Sequence, residues 1–374
     1  MTLFYRSCGA LWHYQGMTLA NNSPQLKDAV RDAIKAIAVG PDRGRDISAE
    51  LAEKVMNGIL DGAVDPVQAA VFLIALRMKR EASSEFAGLL AALDNSTSKT
   101  LVDVETLICL ADPFDGYVRN ATMTPFIAPV LAACGLSVLM HGVETVGPKH
   151  GVTAHKVYQA FGINTLAVES TAKQNIEKHG WAYLDQSIYN AKLFALQDLR
   201  DKMIKRSALT TLERLLCPLQ ATGTTALALA YVHKAYPNIY AEMAKLAGYQ
   251  KVLLFKGVEG GLAPALNKPL RRYFCDSPES FEFLEKQVLE LDSDLQRSVA
   301  AAPLEDTEKA VQETLKLGLK VLAGSSDIAR QSLVLSSAHI LFSFGVGVSF
   351  ASCVEKVERS LDNGSALAAF RALS

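Results

Sequence analysis

The stretch "LICLADPFDGYVRNATMTPFIAPVLAACG", residues 107–135, joins an apolar segment typical of a buried strand to an apolar segment typical of a helix. The strand is predicted over Leu107 to Ala111, and the helix is predicted to begin at Pro125. Because proline suits the first helical position, the hydroxyl of the preceding Thr124 is expected to cap this helix. The polar loop between the two segments is therefore a candidate binding loop.

The chain after about residue 100 repeats this alternation of strand and helix. Further strands are predicted for "LSVLMHG", "NTLAVES", "TALALAYV" and "KVLLFKG", and helices for "AHKVYQAFG" and "PNIYAEMAKLAG". Two more helices are predicted in the C-terminal stretches "QSLVLSSAHILFSFG" and "FASCVEKVERSLDNGSALAAFRAL". Such alternation indicates a parallel sheet covered by helices.

Residues 24–94 differ, because they show helical periodicity punctuated by capping residues such as Ser48 and Asp65. A charged segment from Ile188 to Leu216 predicts a helical pair that packs back against this block. The predicted fold class is therefore α/β with a small all-helical domain, built on a mostly parallel central sheet flanked by helices.

These patterns divide the chain into three parts. Residues 1–23 form an N-terminal extension, and either Met1 or Met17 is the start. Residues 24–94 and 187–217 form a discontinuous helical domain. Residues 95–186 and 218–374 form an α/β domain. The α/β domain is expected to hold the functional site, since ligands of open parallel sheets bind beyond the carboxyl ends of the strands.

The overall composition sets limits on function. The 374 residues are 49% hydrophobic and 21% charged, with a formal net charge of -1, which argues against a disordered or strongly basic protein. The apolar runs are shorter than the roughly 18 residues that span a bilayer. Six scattered cysteines show no C-x-x-C pair, and no secretory cleavage signal is evident. We therefore expect a cytoplasmic protein without a membrane partner.

The first loop has features of an anion site. Free amides above a capped helix terminus favour an anion, and Arg119 adds a cation nearby. Asp112 and Asp115 add negative charge, so a phosphate there would need an offsetting base or metal. An ordinary capped helix is the alternative.

The second loop, after the strand "LSVLMHG", combines His141 and Gly142 with Lys149 and Gly151. Glycine permits close backbone approach, and lysine neutralises phosphate. We expect a phosphate or sulfate to lie between Thr124 and Lys149 if the two loops follow neighbouring strands. The histidines do not have the spacing of zinc ligands, so they predict no metal site.

The helical stretch "ILDGAVDPVQAAVFLIALRMKRE" and the following "EFAGLLAAL" resemble the N-terminal helices of anthranilate phosphoribosyltransferase, of the fold shared with pyrimidine-nucleoside phosphorylases. The resemblance runs from about residue 25 through "MHG" and the lysine-glycine loop to the C-terminal helices. It implies a homodimer formed through the helical domain, with a ribosyl phosphate bound between the domains.

The resemblance also assigns candidate binding residues. "DPFDG" stands where the family has GTGGD, so Asp115 and Gly116 remain and two glycines are replaced. "ATMT" stands at the family's N-x-S-T, and Lys149 matches a phosphate-binding lysine. The full set of implied phosphate or substrate contacts is Asp115, Gly116, Arg119, Thr124, His141, Gly142, Lys149, Gly151, Asn190 and Arg200.

The family's acidic pair that binds magnesium falls on Leu262 and Ala263. Apolar side chains cannot ligate a hard cation. Magnesium would then depend on Asp112, Asp115, Glu259 or another carboxylate, so the sequence predicts no certain cofactor.

Two functions are compatible with these residues. The first is a divergent pentosyltransferase whose acceptor is not anthranilate. The second is a non-catalytic paralogue that binds nucleic acid, as a known branch of the family does along a basic helix. Lys202, Lys205 and Arg206 would supply the phosphate contacts in that case, although a solvated charged face explains them equally.

Overall fold

The computed structural model describes residues 23–40, 42–119, 121–266, 268–282, 286–289 and 306–374. The extension predicted for residues 1–23 lies outside the described residues except for Ser23. That serine caps the first helix by accepting a hydrogen bond from the Leu26 amide.

The helical block follows the predicted periodicity. Ser48 and Asp65 cap the second and third helices through their side chains, as expected. Its helices are α1 (Pro24–Ile37), α2 (Ala49–Leu60), α3 (Pro66–Lys79) and α4 (Ser83–Asn95).

Within the described residues, the central sheet has seven strands in the order β4-β3-β2-β6-β7-β8-β9, and a separate parallel pair joins β1 to β5. The first five strands of the large sheet are parallel, and β8 and β9 are antiparallel additions at one edge. The strands are β1 (Thr100–Val102), β2 (Thr106–Ala111), β3 (Ser137–Gly142), β4 (Trp181–Asp185), β5 (Leu219–Ala221), β6 (Thr224–Tyr231), β7 (Lys251–Lys256), β8 (Leu270–Cys275) and β9 (Gln287–Leu289).

Twelve further α-helices are described beyond the N-terminal block, and they connect or cover the strands. They are α5 (Ile127–Ala133), α6 (Ala154–Phe161), α7 (Glu169–His179), α8 (Gln186–Tyr189), α9 (Ala191–Phe194), α10 (Gln197–Met203), α11 (Leu209–Leu212), α12 (Tyr236–Leu246), α13 (Thr307–Leu322), α14 (Ile328–Ser343), α15 (Phe350–Asp362) and α16 (Ser365–Arg371). The fold is thus the predicted mostly parallel sheet flanked by helices, with a helical bundle.

Strand β2 shows why the sheet is covered on both faces. Its alternate residues Leu107 and Cys109 join a core shared with the helical block, whereas Ile108 and Leu110 join a core shared with the C-terminal helices. A strand that is buried on both faces must be apolar throughout, which is the pattern that "TLICLA" shows.

Two predictions about elements are wrong. The segment "NTLAVES" forms no strand: it is a turn that leads into α7, and Leu166 and Val168 are exposed. The charged pair predicted over Ile188 to Leu216 is instead a series of short helices with a 3-10 turn, and α10 ends where Ile204 adopts a left-handed conformation at φ 62°.

Contacts join these short helices to the N-terminal block, with α10 on α3 and α11 on α4. The boundaries proposed for the domains stay a prediction. Within the described part of the chain, every helix is too short or too polar to cross a membrane.

Candidate functional site

The loops that follow β2, β3 and β7 meet at the carboxyl edge of the sheet. Ala111 and His141 are register partners at the ends of β2 and β3, so the two predicted binding loops are neighbours. Backbone hydrogen bonds join them directly: Tyr117 and Val152 exchange a pair at 2.9 Å, and the Gly151 amide donates to the Asp115 carbonyl.

Gly116 and Gly151 permit this close approach. A Cβ at Gly116, where φ is 73°, would lie 2.7 Å from the Gly151 carbonyl carbon. A Cβ at Gly151 would lie 2.4 Å from the Tyr117 carbonyl oxygen. Both glycines therefore serve loop-to-loop packing in this structure.

The charged residues of the three loops form a group that we call the charged mouth: Asp115, Lys149, Arg206 and Glu259. The Asp115 carboxylate accepts from Lys149 Nζ at 3.3 Å and from Arg206 Nε at 3.0 Å. The Asp115 side chain is only 4% exposed, whereas Arg206 is 44% exposed, so the mouth opens to solvent at the arginine. Lys149 also donates to the carbonyl of Gly116.

Glu259 brings the third loop into the mouth. Its carboxylate accepts from the backbone amides of Val118 and Arg119 at 3.3 and 3.0 Å, and it lies 3.5 Å from Lys149 Nζ. The residue adopts φ 51°, which is unusual for a side chain with a Cβ. The sequence indicated Glu259 only as a possible substitute metal ligand, and this contact was not predicted.

A buried network lies behind the mouth. Asp112 accepts from the hydroxyls of Tyr117 at 2.6 Å and Thr124 at 2.8 Å, and from the Leu262 amide at 3.2 Å. Burial raises the pKa of Asp112 above its usual value, and these hydrogen bonds partly oppose that effect. Burial and the neighbouring carboxylate raise the pKa of Tyr117 well above its ordinary range.

The prediction that Thr124 caps a helix is wrong. Thr124 opens a 3-10 turn, its amide donates to Thr122 Oγ1 at 3.2 Å, and the seven-residue helix α5 begins only at Ile127. The helix terminus is thus not free for an anion. Binding of an anion between Thr124 and Lys149 stays a prediction, and the cations converge on Asp115 instead.

The inner half of the cleft is filled by what we call the apolar floor: Phe114, Val143 and Val146, with the half-buried Phe194 against them. Phe114 is only 2% exposed. Beside it remains a cavity of about 10 Å³, enough for about one water molecule. This cavity is therefore too small for an aromatic substrate.

His141 borders this cavity and is buried. Its Nδ1 lies 3.2 Å from the Tyr189 hydroxyl, while Nε2 has no hydrogen-bond partner among the described residues. Burial, and to a smaller extent the positive charge of Arg214, lower the pKa of His141 to about 3. The ring is thus neutral at physiological pH, and it offers no positive charge to a phosphate.

A second buried histidine, His155, also lines this cavity; its spacing from His150 argues against a zinc site. His155 Nδ1 lies 2.8 Å from Asp185 Oδ2, and its Nε2 lies 2.9 Å from the Thr165 hydroxyl. Gly142 lies nearby, where a Cβ would be 3.3 Å from the Tyr183 hydroxyl. Both ring nitrogens of His155 have a hydrogen-bond partner, which indicates a structural role for this group.

Arg200 and Asn190 are engaged away from the mouth. Arg200 makes two hydrogen bonds to Glu213 at 2.6 and 2.8 Å, and both side chains are buried. Burial would lower the pKa of Arg200, but Glu213 outweighs it and the pKa is raised. Asn190 donates to the Leu93 carbonyl and to Thr97, tying α9 to the end of α4. Their proposed substrate contacts stay predictions.

The three cations proposed for nucleic acid do not share one helix, contrary to expectation. Lys202 lies on α10 and pairs with Asp198, whereas Lys205 and Arg206 follow the end of that helix. Arg206 belongs to the charged mouth. Lys205 is exposed and makes no ion pair with the described residues.

The site does not fit the family's magnesium. Leu262 and Ala263 are buried, and the Leu262 amide is used by Asp112. Over the residues that the structure describes, no group of three or more His, Cys, Asp or Glu side chains could hold a metal ion. The carboxylates that remain are bound to lysine, arginine, hydroxyl or amide groups.

Family models match most of the chain. The helical bundle domain of a glycosyl transferase family matches residues 31–97, and its a/b domain matches residues 116–367. The matched domains are those of a glycosyl transferase family with bundle-plus-α/β architecture. Within that class, the chain belongs to the anthranilate phosphoribosyltransferase-like family.

Relatives by sequence include proteins with and without a known activity. The anthranilate phosphoribosyltransferase of Desulfatibacillum aliphaticivorans is 23% identical, covering 88% of this chain and 94% of its own. The uncharacterized protein YbiB of Escherichia coli K12 is 24% identical, covering 88% and 99%. An uncharacterized protein of Aquifex aeolicus is also 24% identical, covering 79% and 87%.

Solved structures confirm the fold. Anthranilate phosphoribosyltransferase from Thermus thermophilus superposes with a TM-score of 0.69 at 20% identity, covering 92% of this chain and 98% of that one. The Saccharomyces cerevisiae enzyme in complex with PRPP and Mg has a TM-score of 0.72 at 15% identity, covering 95% and 98%.

Proposed function

We propose that this chain is a divergent pentosyltransferase-type protein that binds a ribosyl phosphate at the charged mouth and uses an acceptor other than anthranilate. The observation that supports it is the convergence of Lys149 and Arg206 on one carboxylate at the carboxyl edge of the sheet. Lysine and arginine arranged in this way form charge-assisted hydrogen bonds to phosphate oxygens. The partly exposed Arg206 gives a ligand access.

The inner half of the cleft argues against anthranilate. The apolar floor fills the space, Glu213 holds Arg200, and the positions of the acidic pair are apolar. We therefore expect purified protein to form little or no phosphoribosylanthranilate from anthranilate and phosphoribosyl diphosphate with excess magnesium. Robust magnesium-dependent turnover would contradict this part of the proposal.

Calorimetry with ribose 5-phosphate tests the binding step. Lys149→Ala should weaken binding at least about tenfold, because it removes one charge-assisted contact. Lys178→Ala is the matched control, since Lys178 is an exposed lysine on α7 and should leave affinity unchanged. Equal affinities for wild type and Lys149→Ala, with the fold intact by circular dichroism, would remove the charged mouth as the phosphate site.

The proposed homodimer has a candidate surface on the helical block. Val67, Val71 and Met78 lie on one face of α3 and are 71%, 41% and 71% exposed. Exposed apolar residues at helical spacing favour a partner helix. Light scattering at micromolar concentration should give a dimer mass, and Met78→Glu should shift it toward the monomer. A wild-type monomer would contradict the expectation.

Nucleic-acid binding is the second candidate, and a different set of cations favours it. Phe255 pairs with Arg272 in the antiparallel register, which places Lys256 beside Arg271. Lys256, Arg271 and the nearby Lys268 are exposed, whereas Arg272 is buried against Ser343. Two like charges side by side are costly unless an anion lies between them.

A salt titration of single-stranded DNA binding tests this candidate. The double variant Lys256→Ala and Arg271→Ala should lower the salt slope of log affinity by about 1.4, since each lost phosphate contact is worth about 0.7. Lys202→Ala with Lys205→Ala tests the segment predicted from the sequence. Weak, salt-insensitive binding of single-stranded DNA by the wild type would exclude both sets of cations as nucleic-acid contacts.

A further inference from the structure

We propose that Glu259 is an internal competitor for the anion site, so that a phosphate group of the ligand binds by displacing this carboxylate from the amides of Val118 and Arg119 and from Lys149. This inference rests on the proposed function, because it concerns the same charged mouth. It goes beyond that function in two respects: the carboxylate of Glu259 fills the anion site, and its release controls the affinity for phosphate.

The donors around Glu259 are those of an anion site. Two consecutive backbone amides point at its carboxylate, at 3.3 and 3.0 Å, and a lysine ammonium lies at 3.5 Å. Consecutive amides with a lysine are the donor set that proteins use for phosphate. A carboxylate bound this way occupies the position that a ligand oxyanion would take.

Lys149 bridges this position to a second one. Its Nζ lies between Glu259 Oε2 at 3.5 Å and Asp115 Oδ1 at 3.3 Å. Asp115 is additionally bound by Arg206. Of the two carboxylates, Glu259 is the one that holds the two backbone amides, so its place is the one that an incoming anion would take.

The loop that carries Glu259 is rich in glycine and holds Glu259 in a rare backbone conformation. Glycines flank the residue on both sides, at Gly257, Gly260 and Gly261, and Glu259 itself holds φ 51°. A left-handed conformation is unfavourable for a residue with a Cβ, so a glycine at position 259 would remove that cost together with the carboxylate.

The ligand class follows from the donors. A carboxylate has two oxygens and one charge, whereas a phosphoryl group offers three oxygens and more charge to the same amides and lysine. Phosphoryl and pyrophosphoryl groups are therefore the anions expected to compete with Glu259. A monocarboxylate brings no advantage over the internal group.

Calorimetry with inorganic pyrophosphate is the test. Glu259→Gln keeps the side-chain size but removes the charge, so pyrophosphate should bind at least about tenfold more tightly than to wild type. Glu259→Gly removes the carboxylate and the strained conformation together, and it should show the same gain. Glu144→Gln is the matched control: this exposed glutamate lies on the neighbouring loop, and it should leave affinity unchanged.

The outcomes separate this inference from the proposed function. If both Glu259 variants bind pyrophosphate no better than wild type, while Lys149→Ala weakens ribose 5-phosphate binding, the internal competitor is refuted and the proposed site stands. If neither wild type nor a folded Glu259 variant binds either anion, both fail. A gain that persists in Glu259→Gln combined with Lys149→Ala would place the anion elsewhere and also overturn the inference.

Discussion

The charged mouth and the apolar floor lie side by side in one cleft, and they hold their positions by different means. In the mouth, ion pairs and backbone amides bind Asp115 and Glu259, and Arg206 is 44% exposed. In the floor, Phe114, Val143 and Val146 are almost fully buried. An incoming anion can take over the charge-assisted hydrogen bonds of the mouth, whereas a packed apolar cluster opens only by losing its contacts.

Under the proposed function, this difference predicts which end of a transferase substrate the chain would accommodate. An anion entering the mouth replaces one set of charge-assisted hydrogen bonds with another. An aromatic acceptor entering the floor would have to displace Phe114 and separate it from Phe194. Under the proposed function, the sugar-phosphate end would be retained in exchangeable form and the acceptor end would be closed.

The largest change in the free energy of unfolding is expected at the buried ion pair between Arg200 and Glu213. Arg200→Met should lower the free energy of unfolding by about 3–5 kcal/mol, because it leaves Glu213 buried without its cation. Urea denaturation measures this. Lys202→Met is the matched control, since its pair with Asp198 on the same helix is exposed and should matter little.

A loss below about 1 kcal/mol for Arg200→Met would show that Glu213 finds another partner and that the acceptor side can rearrange. The contrast between the two halves of the cleft would then be weaker than the static contacts indicate.

Removing the phenyl ring of Phe114 from the apolar floor should lower the free energy of unfolding by a somewhat smaller amount. Phe114→Ala should cost about 3 kcal/mol of stability, since a buried phenyl ring is lost and a cavity remains. Ribose 5-phosphate affinity should stay unchanged, because the mouth does not use the ring. A parallel loss of phosphate affinity would mean that the two halves are coupled, and the comparison would fail.

The fold was largely predictable because most of its strands and helices show up as patterns of neighbouring residues in the sequence. Strands β2, β3, β6 and β7 are continuous apolar runs bounded by turn residues, as strands covered on both faces must be. Strand β4, "WAYLD", was missed because it is short and ends in Asp185. "NTLAVES" has the composition of a strand, but its apolar residues Leu166 and Val168 face solvent.

The site was predictable only in part. The sequence placed Lys149 and Arg206 among the binding residues, and both lie in the charged mouth. Their partners could not be predicted, because Glu259 is more than 100 positions from Lys149 and the pairing depends on how three loops meet. The floor likewise depends on Phe194, which arrives from a short helix far along the chain. Long-range contacts of this kind leave no periodic signal in the sequence.

The smallest expected effect is a pH dependence of the free energy of unfolding that comes from His141, next to the apolar floor. The pKa of His141 is lowered to about 3 by burial and by Arg214, whereas in the unfolded chain it returns to about 6.5. Between these values the unfolded state binds more protons, so the stability that is present above pH 6.5 is lost as the pH falls. From pH 7 to pH 5 the loss due to this histidine should be about 2 kcal/mol.

Urea denaturation of wild type and His141→Gln at the two pH values isolates this contribution. The variant has no group to titrate at this position, so its stability should fall by about 2 kcal/mol less than that of wild type. Burial also lowers the pKa of His339, but that residue contributes equally to both proteins and cancels. His233→Gln, a change at an exposed histidine, controls for the substitution itself. Identical pH dependence in wild type and His141→Gln would show that water or an anion reaches the imidazole, and that the floor is open where the packing closes it.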